Sequence, residues 1–245
     1  MVEHAFIRDN ILDIREKMRL AAMRSGRNAS DITLLAVTKF QSHEAVMEAY
    51  EAGIRRFGEN RVQEAESKYS MENRKPMPDI SLDMLGMLQS NKINKALKIF
   101  DCIQSIGSLD TLNAVASRAE KSGLPLDLFF ELHTGEESKA GFSNLDELFK
   151  AVELYLELLQ GRRSEQKGVS FKLAGLMTMA PFTGIRREIQ ASFRTLFKAK
   201  EEIGKRFVLP GFGQLSMGMS GDFEIAIEEG STIVRIGTSI FGARQ

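Results

Sequence analysis

The strongest constraint on this chain is an alternation that begins at Leu34 and runs almost to the end. Short apolar runs alternate with stretches of helical periodicity, and the runs end near Lys39, Gly58, Leu88, Ser105, His133, Leu176, Met217 and Arg235. The first run, Leu34-Leu35-Ala36-Val37-Thr38-Lys39, lacks polar alternation, which describes a strand buried on both faces, as parallel sheets require. Ser42 then supplies a helix N-cap and Glu44 a first-turn acid, and Ala45, Val46, Ala49 and Tyr50 keep helical spacing up to Gly53. Eight such units in about 200 residues match a (β/α)8 barrel better than a doubly wound sheet, since no glycine-rich dinucleotide loop follows the first strand. The predicted fold class is therefore α/β, a single-domain (β/α)8 TIM barrel over residues 1–245. With 245 residues, 43% of them hydrophobic, the chain can bury such a core.

An extra helix precedes the barrel. Over residues 3–25, Ile7, Ile11, Ile14, Met18 and Ala22 recur at spacings of three and four, so an amphipathic helix is expected to end at Gly26 and pack across one end of the barrel. Further on, Ser143-Asn144-Leu145-Asp146 reads as a capping box, and Thr183 precedes a face of Ile185, Ile189, Phe193, Leu196 and Phe197. Tyr69 to Pro78 and Gly161 to Gly168 read as exposed loops.

Composition narrows the function. Lys plus Arg and Asp plus Glu both number 33, so no net field favours nucleic acid or an anionic membrane. The single cysteine, Cys102, excludes an intramolecular disulfide, and three scattered histidines make no metal cluster. No run approaches the roughly eighteen apolar residues of a membrane span, and Met1 leads into His4, Arg8 and Asp9 rather than an apolar leader. The expectation is a soluble, unprocessed, cytoplasmic protein, and a monomer because no long apolar seam is visible.

In a barrel of this kind, functional groups gather at the C-terminal ends of the strands. Lys39 stands at the first such end. Its ammonium, partly desolvated there, is either a nucleophile toward a carbonyl or a lysine returning the chain to water. Ser216-Met217-Gly218-Met219-Ser220-Gly221-Asp222 follows the seventh strand, with Asp222 as N-cap of a short helix, and Ile236-Gly237-Thr238-Ser239 follows the eighth. Glycines and hydroxyls opening helices after strands 7 and 8 form a phosphate cradle, or else ordinary βα turns. Arg235, within the closing strand, is a guanidinium that cannot deprotonate and so needs an acceptor inside the barrel mouth.

A lysine, a phosphate cradle and an arginine in these places suggest pyridoxal 5'-phosphate. Its aldehyde would join Lys39 as a Schiff base, its phosphate would sit on Ser216, Gly237 and Thr238, and its pyridine nitrogen would meet Arg235. A cationic group at that nitrogen keeps the ring unprotonated and makes it a weaker electron sink.

At these residues the chain resembles a known family. The motifs are Leu35 to Lys39, Phe57-Gly58-Glu59-Asn60-Arg61-Val62-Gln63-Glu64, Gly86 to Lys92, Gly135 to Phe142, Gly175 to Met179, and the tail from Ser216 to Arg244. Long and in order, they are similar to the pyridoxal phosphate homeostasis protein family. The resemblance implies a barrel of the alanine racemase N-terminal domain type without that enzyme's C-terminal β-domain, the cofactor on Lys39, and the roles above for Ser216, Arg235, Gly237 and Thr238. It adds Asn60 as a pocket residue. Two departures stand out: Leu82-Asp83 replaces the usual Trp-His pair in a chain without tryptophan, and His133 stands where many members carry asparagine.

Other groups have weaker claims. Lys139 is either a second amine near the cofactor or a surface lysine paired with Glu136 or Glu137. His43 and His133 lack a visible partner, and Cys102 reads as a buried structural thiol. Racemase chemistry needs a second base, and Tyr50, Tyr69 and Tyr155 all read as lying away from the strand ends. The expected function is thus a carrier holding pyridoxal phosphate on Lys39 for release, with PLP-dependent apo-enzymes as possible recipients. The alternatives are an amino-acid racemase or related α-carbon enzyme, and a Schiff-base aldolase.

Overall fold

The computed structural model describes residues 5–135, 141–164 and 171–242. Its elements run α1 (Ala5–Arg24), β1 (Thr33–Val37), α2 (His43–Glu51), β2 (Arg56–Glu59), α3 (Val62–Lys68), α4 (Met71–Arg74), β3 (Ser81–Met84), α5 (Ile93–Ala96) and β4 (Cys102–Ile106). They continue with α6 (Leu109–Ser122), β5 (Leu126–Glu131), α7 (Leu145–Ser164), β6 (Phe171–Met177), α8 (Arg186–Arg206), β7 (Gln214–Ser216), α9 (Phe223–Glu228), β8 (Ile233–Ile236) and α10 (Thr238–Phe241). Each strand pairs in parallel with the next, and β8 returns to β1, so the sheet closes into an eight-stranded barrel. Closure leaves no edge strand, and it sets Leu35 between Arg56 on one side and Arg235 on the other.

The period of two along each strand divides the core. Leu35, Cys102, Phe129, Ala174, Met177 and Ile233 fill the barrel interior, while Ala36, Phe57, Ile103 and Leu128 face the helices. The five predicted α1 positions are all buried, each of the larger side chains adding roughly 1.5–3 kcal/mol of transfer free energy. This helix does not cross an end of the barrel, however. It packs against α2, α9 and α10, outside the seam where β8 meets β1, and is pinned there by Asn10 Nδ2 donating to the Ile240 carbonyl at 2.9 Å.

Local expectations shift in several places. The third strand stops at Met84 rather than near Leu88; beyond it the chain passes so close to Asn60 that a Cβ on Gly86 would lie 2.3 Å from its carbonyl oxygen, and Ser105 Oγ bonds the Gly86 carbonyl. The cap of α7 is Asn144, whose side chain accepts from the Glu147 N–H, while Glu147 accepts from the Ser143 N–H, so the box lies one residue later than expected. Thr183 bonds the Ile185 N–H and α8 starts at Arg186, leaving Ile185 exposed. Tyr69 to Pro78 is not an exposed loop, since it contains α4 and buries Tyr69 and Met77. Of the second predicted loop, α7 extends through Ser164, and the rest lies outside the described residues.

Candidate functional site

Lys39 sits where the alternation of β1 leaves the sheet. Leu35 and Val37 face inward, whereas Thr38 faces outward and keeps the ladder through its N–H to the Gly58 carbonyl at 2.9 Å. Lys39 is the next inward position, half-buried, with no ion pair among the described residues. Val37 pairs with Gly58, so Asn60 stands two residues beyond Gly58 just as Lys39 stands two beyond Val37. On the other side, Ala36 pairs with Ile236, which brings Gly237 against Val37: a Cβ on Gly237 would lie 3.3 Å from the Val37 carbonyl oxygen. Gly237 caps α10, and the exposed Thr238 is its first residue.

Arg235 lies below this turn and is 5% exposed. Its Nη1 donates to Ser216 Oγ and its Nη2 to the Thr178 carbonyl, both at 2.8 Å, and no carboxylate pairs with it among the described residues. Burial lowers it to about 10, with Glu131, Asp222 and Asp83 pulling the other way, so it stays a cation at neutral pH. From Ser216 a polar chain crosses the interior. Ser216 Oγ donates to Gln104 Oε1 at 2.5 Å, Gln104 Nε2 donates to Asp83 at 2.5 Å, and Asp83 receives Arg56 at 2.8 Å. Burial works against the Arg56 charge, and Asp83 more than offsets it, leaving that guanidinium above its ordinary value. Glu131, buried at the end of β5, is raised by desolvation to about 7, with Arg235 opposing.

The loop after β7 meets the loop after β8 where the Ser239 N–H bonds Ser220 Oγ at 3.3 Å. Asp222 takes the N-cap position of α9, yet its carboxylate accepts from the Met219 N–H at 2.5 Å instead of from the helix.

A guanidinium without a carboxylate among the described residues, a half-buried amine and a glycine turn thus lie toward the same end of the barrel. Comparison with known proteins gives the family. The alanine racemase N-terminal domain model matches residues 10–245. The pyridoxal phosphate homeostasis protein of Aquifex aeolicus is 36% identical over 239 residues, 95% of this chain and 96% of its own length. The chain belongs to the pyridoxal phosphate homeostasis protein family. The family member from Escherichia coli K12 is likewise 36% identical, over 242 residues and 97% of each chain. PipY of Synechococcus elongatus, in its structure with PLP bound, is 32% identical with a TM-score of 0.73, covering 92% of this chain and 99% of that one.

Against the usual family pattern, the two departures fall in different surroundings. Leu82 faces the outer core, whereas Asp83 is fully buried as the centre of the interior chain. His133 lines a separate cavity of about 650 Å³ with Thr134, Phe182 and Ser192. Asn60 lines another, of about 450 Å³, with Arg61, Gln63, Met87, Gln89 and Lys92.

The barrel thus brings Lys39, Gly237 and Thr238 to one seam, with Asn60 beside them and Ser216 and Arg235 beneath. Lys139 lies outside the described residues, Cys102 is buried with its thiol pushed up by burial, and His43 Nδ1 is buried without a hydrogen-bond partner. One expectation is overturned: Tyr69 does reach a strand end, its hydroxyl lying 2.8 Å from Thr38 Oγ1, although burial raises it and keeps it protonated. Sequence reading also missed Glu59 and Lys68, buried beside Thr38. Their signal was present as two charges within and just after the Phe57 to Glu64 motif, one on an outward strand position.

Proposed function

We propose that this protein, acting as one barrel domain, holds pyridoxal 5'-phosphate reversibly on the amine of Lys39 and gives it up to PLP-dependent apo-enzymes in the cytoplasm. What carries the reading is the register of the closing seam, which sets Gly237 against Val37 and Arg235 beside Leu35, two residues and four residues before Lys39 along β1. The residues fit the group. Gly237 leaves room that a Cβ would fill, and Arg235 is a buried cation whose acceptors among the described residues are a hydroxyl and a carbonyl. Relatives named for pyridoxal phosphate homeostasis and PipY with PLP bound support the same assignment.

When bound, the group supplies a reactive aldehyde and an electron-accepting ring. Lys39 offers its amine to the aldehyde. Arg235 would meet the ring nitrogen and, being cationic, could give no more than a hydrogen bond there, which would restrain α-carbon chemistry. Gly237, Thr238 and Ser216 take the phosphate, Ser216 with Gln104 and Arg235 as its resting partners. Asn60 flanks the Lys39 turn on the β2 side. Monomeric behaviour belongs to the same reading, because the sequence shows no long apolar seam.

The test is the visible absorption spectrum of wild type and Lys39→Ala, before and after borohydride, with an α-proton exchange assay on a panel of amino acids. A band that disappears on reduction, is absent from Lys39→Ala and comes without exchange is the expected result. Rapid exchange would make the protein an enzyme; no band in wild type supplied with pyridoxal phosphate would end the cofactor assignment.

A further inference from the structure

The turn that carries Lys39 is gripped on both sides by charged groups that have no place in the cofactor site. On the side before Lys39, the Thr38 carbonyl accepts from Lys68 Nζ at 2.5 Å, and Thr38 Oγ1 donates to Glu59 Oε1 at 2.7 Å. On the side after it, the Phe40 N–H donates to Glu64 Oε1. Lys68 joins the two grips, bonding Glu59 at 2.8 Å and Glu64 at 3.0 Å. Glu64 and Lys68 are four apart on α3 and so share one helical face.

The turn needs holding. Phe40 has φ +64°, the left-handed region, and is the one non-glycine residue with positive φ among those described; its ring is more than half exposed, with the Arg61 guanidinium 5.8 Å from its centre. The grip is also poorly suited to stability as its purpose. Glu59 is fully buried and Lys68 nearly so, Glu59 Oε2 has no hydrogen-bond partner, and a buried ion pair contributes little net stability. Its bonds end instead on the backbone immediately before and after one lysine.

Building on the assignment of the cofactor to Lys39, we propose that Lys68 and Glu64 are positioning residues. They fix the Thr38–Phe40 backbone so that the Lys39 amine is presented to the bound aldehyde. In the step they favour, the amine nitrogen adds to the aldehyde carbon, a C=N bond replaces C=O, and the amine protons leave with the oxygen as one water.

The experiment separates bound cofactor from cofactor joined to Lys39. Full-length wild type, Glu64→Ala, Lys68→Met and the double variant Glu59→Gln/Lys68→Met are loaded with pyridoxal phosphate and freed of excess. Total bound phosphate is then measured against the Lys39 adduct trapped by borohydride and located by peptide mass. The double variant guards against misfolding, because it removes both charges of the buried Glu59–Lys68 pair and leaves unpaired only Glu64, which is partly exposed. The trapped fraction of bound cofactor is expected to fall roughly five- to tenfold, the effect of losing one or two hydrogen bonds, while total binding falls less than about twofold. In the cofactor-free protein, the Phe40 amide of Glu64→Ala should exchange hydrogen faster than in wild type. Wild-type trapped fractions in Glu64→Ala and the double variant would overturn the inference alone, as would trapping and binding that fall together. No Lys39 adduct in wild type would overturn the reading of Lys39 and this inference with it.

Discussion

Two buried polar networks flank the site, one inside the barrel and one outside it, and they are built differently. The interior chain runs from Arg56 through Asp83, Gln104 and Ser216 to Arg235, each link bonded to the next. The outer cluster of Glu59, Lys68, Glu64, Thr38 and Tyr69 leaves Glu59 Oε2 without a partner, and burial raises that carboxyl despite Lys68 beside it. The interior chain ends on a guanidinium and so sets charge beneath the site. The outer one ends on peptide groups and so sets position. A fully bonded network in a low-dielectric interior is costly to break at any member, and the outer cluster directs its bonds to the backbone on either side of Lys39.

The largest expected effect breaks the interior chain. Asp83→Asn leaves Arg56 mostly buried without its counter-charge, and should cost about 3–5 kcal/mol by urea unfolding. A cost below about 1 kcal/mol would mean that the interior is no more tightly coupled than the outer cluster.

The next prediction uses Glu131. Its folded carboxyl titrates at about 7 against an ordinary 4.5, desolvation being the main cause. A raised carboxyl pKa contributes stability that is fully present below pH 4.5 and is lost as pH rises through 7. Glu131→Gln should remove that loss. In cofactor-free protein, its stability relative to wild type should rise between pH 4.5 and pH 8 by on the order of 3 kcal/mol. A flat difference would show that Glu131 is solvated or paired in solution.

The smallest effect sharpens the contrast. Tyr69→Phe removes only the bond to Thr38 Oγ1, which keeps Glu59, so thermal unfolding should register about 0.5–1.5 kcal/mol. The trapped fraction on Lys39 should stay at the wild-type level, because Lys68 and Glu64 still hold the turn. A fall in trapping would give Tyr69 a share in positioning.

The scaffold was legible wherever a local period carried it. The α1 face from Ile7 to Ala22 and the Ser42 cap of α2 follow from spacing and side-chain chemistry within a few residues, and both are as expected. Errors fell where a distant group decided the outcome. Met84 to Leu88 is apolar enough to be strand, but at Gly86 the chain runs close against the Asn60 carbonyl, a contact no local pattern shows. Tyr69 sits among polar neighbours, yet it is buried because α3 brings it against Thr38 at the end of β1 and against Phe57 of β2.

The site divides along the same line. The sequence by itself determined the eight-unit barrel, the lysine at the first strand end, and the glycine and hydroxyl turns after the seventh and eighth, because these depend on hydrophobic period, chain direction and residue type. Only the tertiary structure decided that Arg235 shares Ser216 with an interior chain reaching Asp83 and Arg56, and that Lys68 and Glu64 grip the backbone around Lys39. The physical reason is barrel closure. It pairs β8 with β1 and brings together side chains from strands far apart in sequence, in an interior where a buried polar group left without a hydrogen bond is costly.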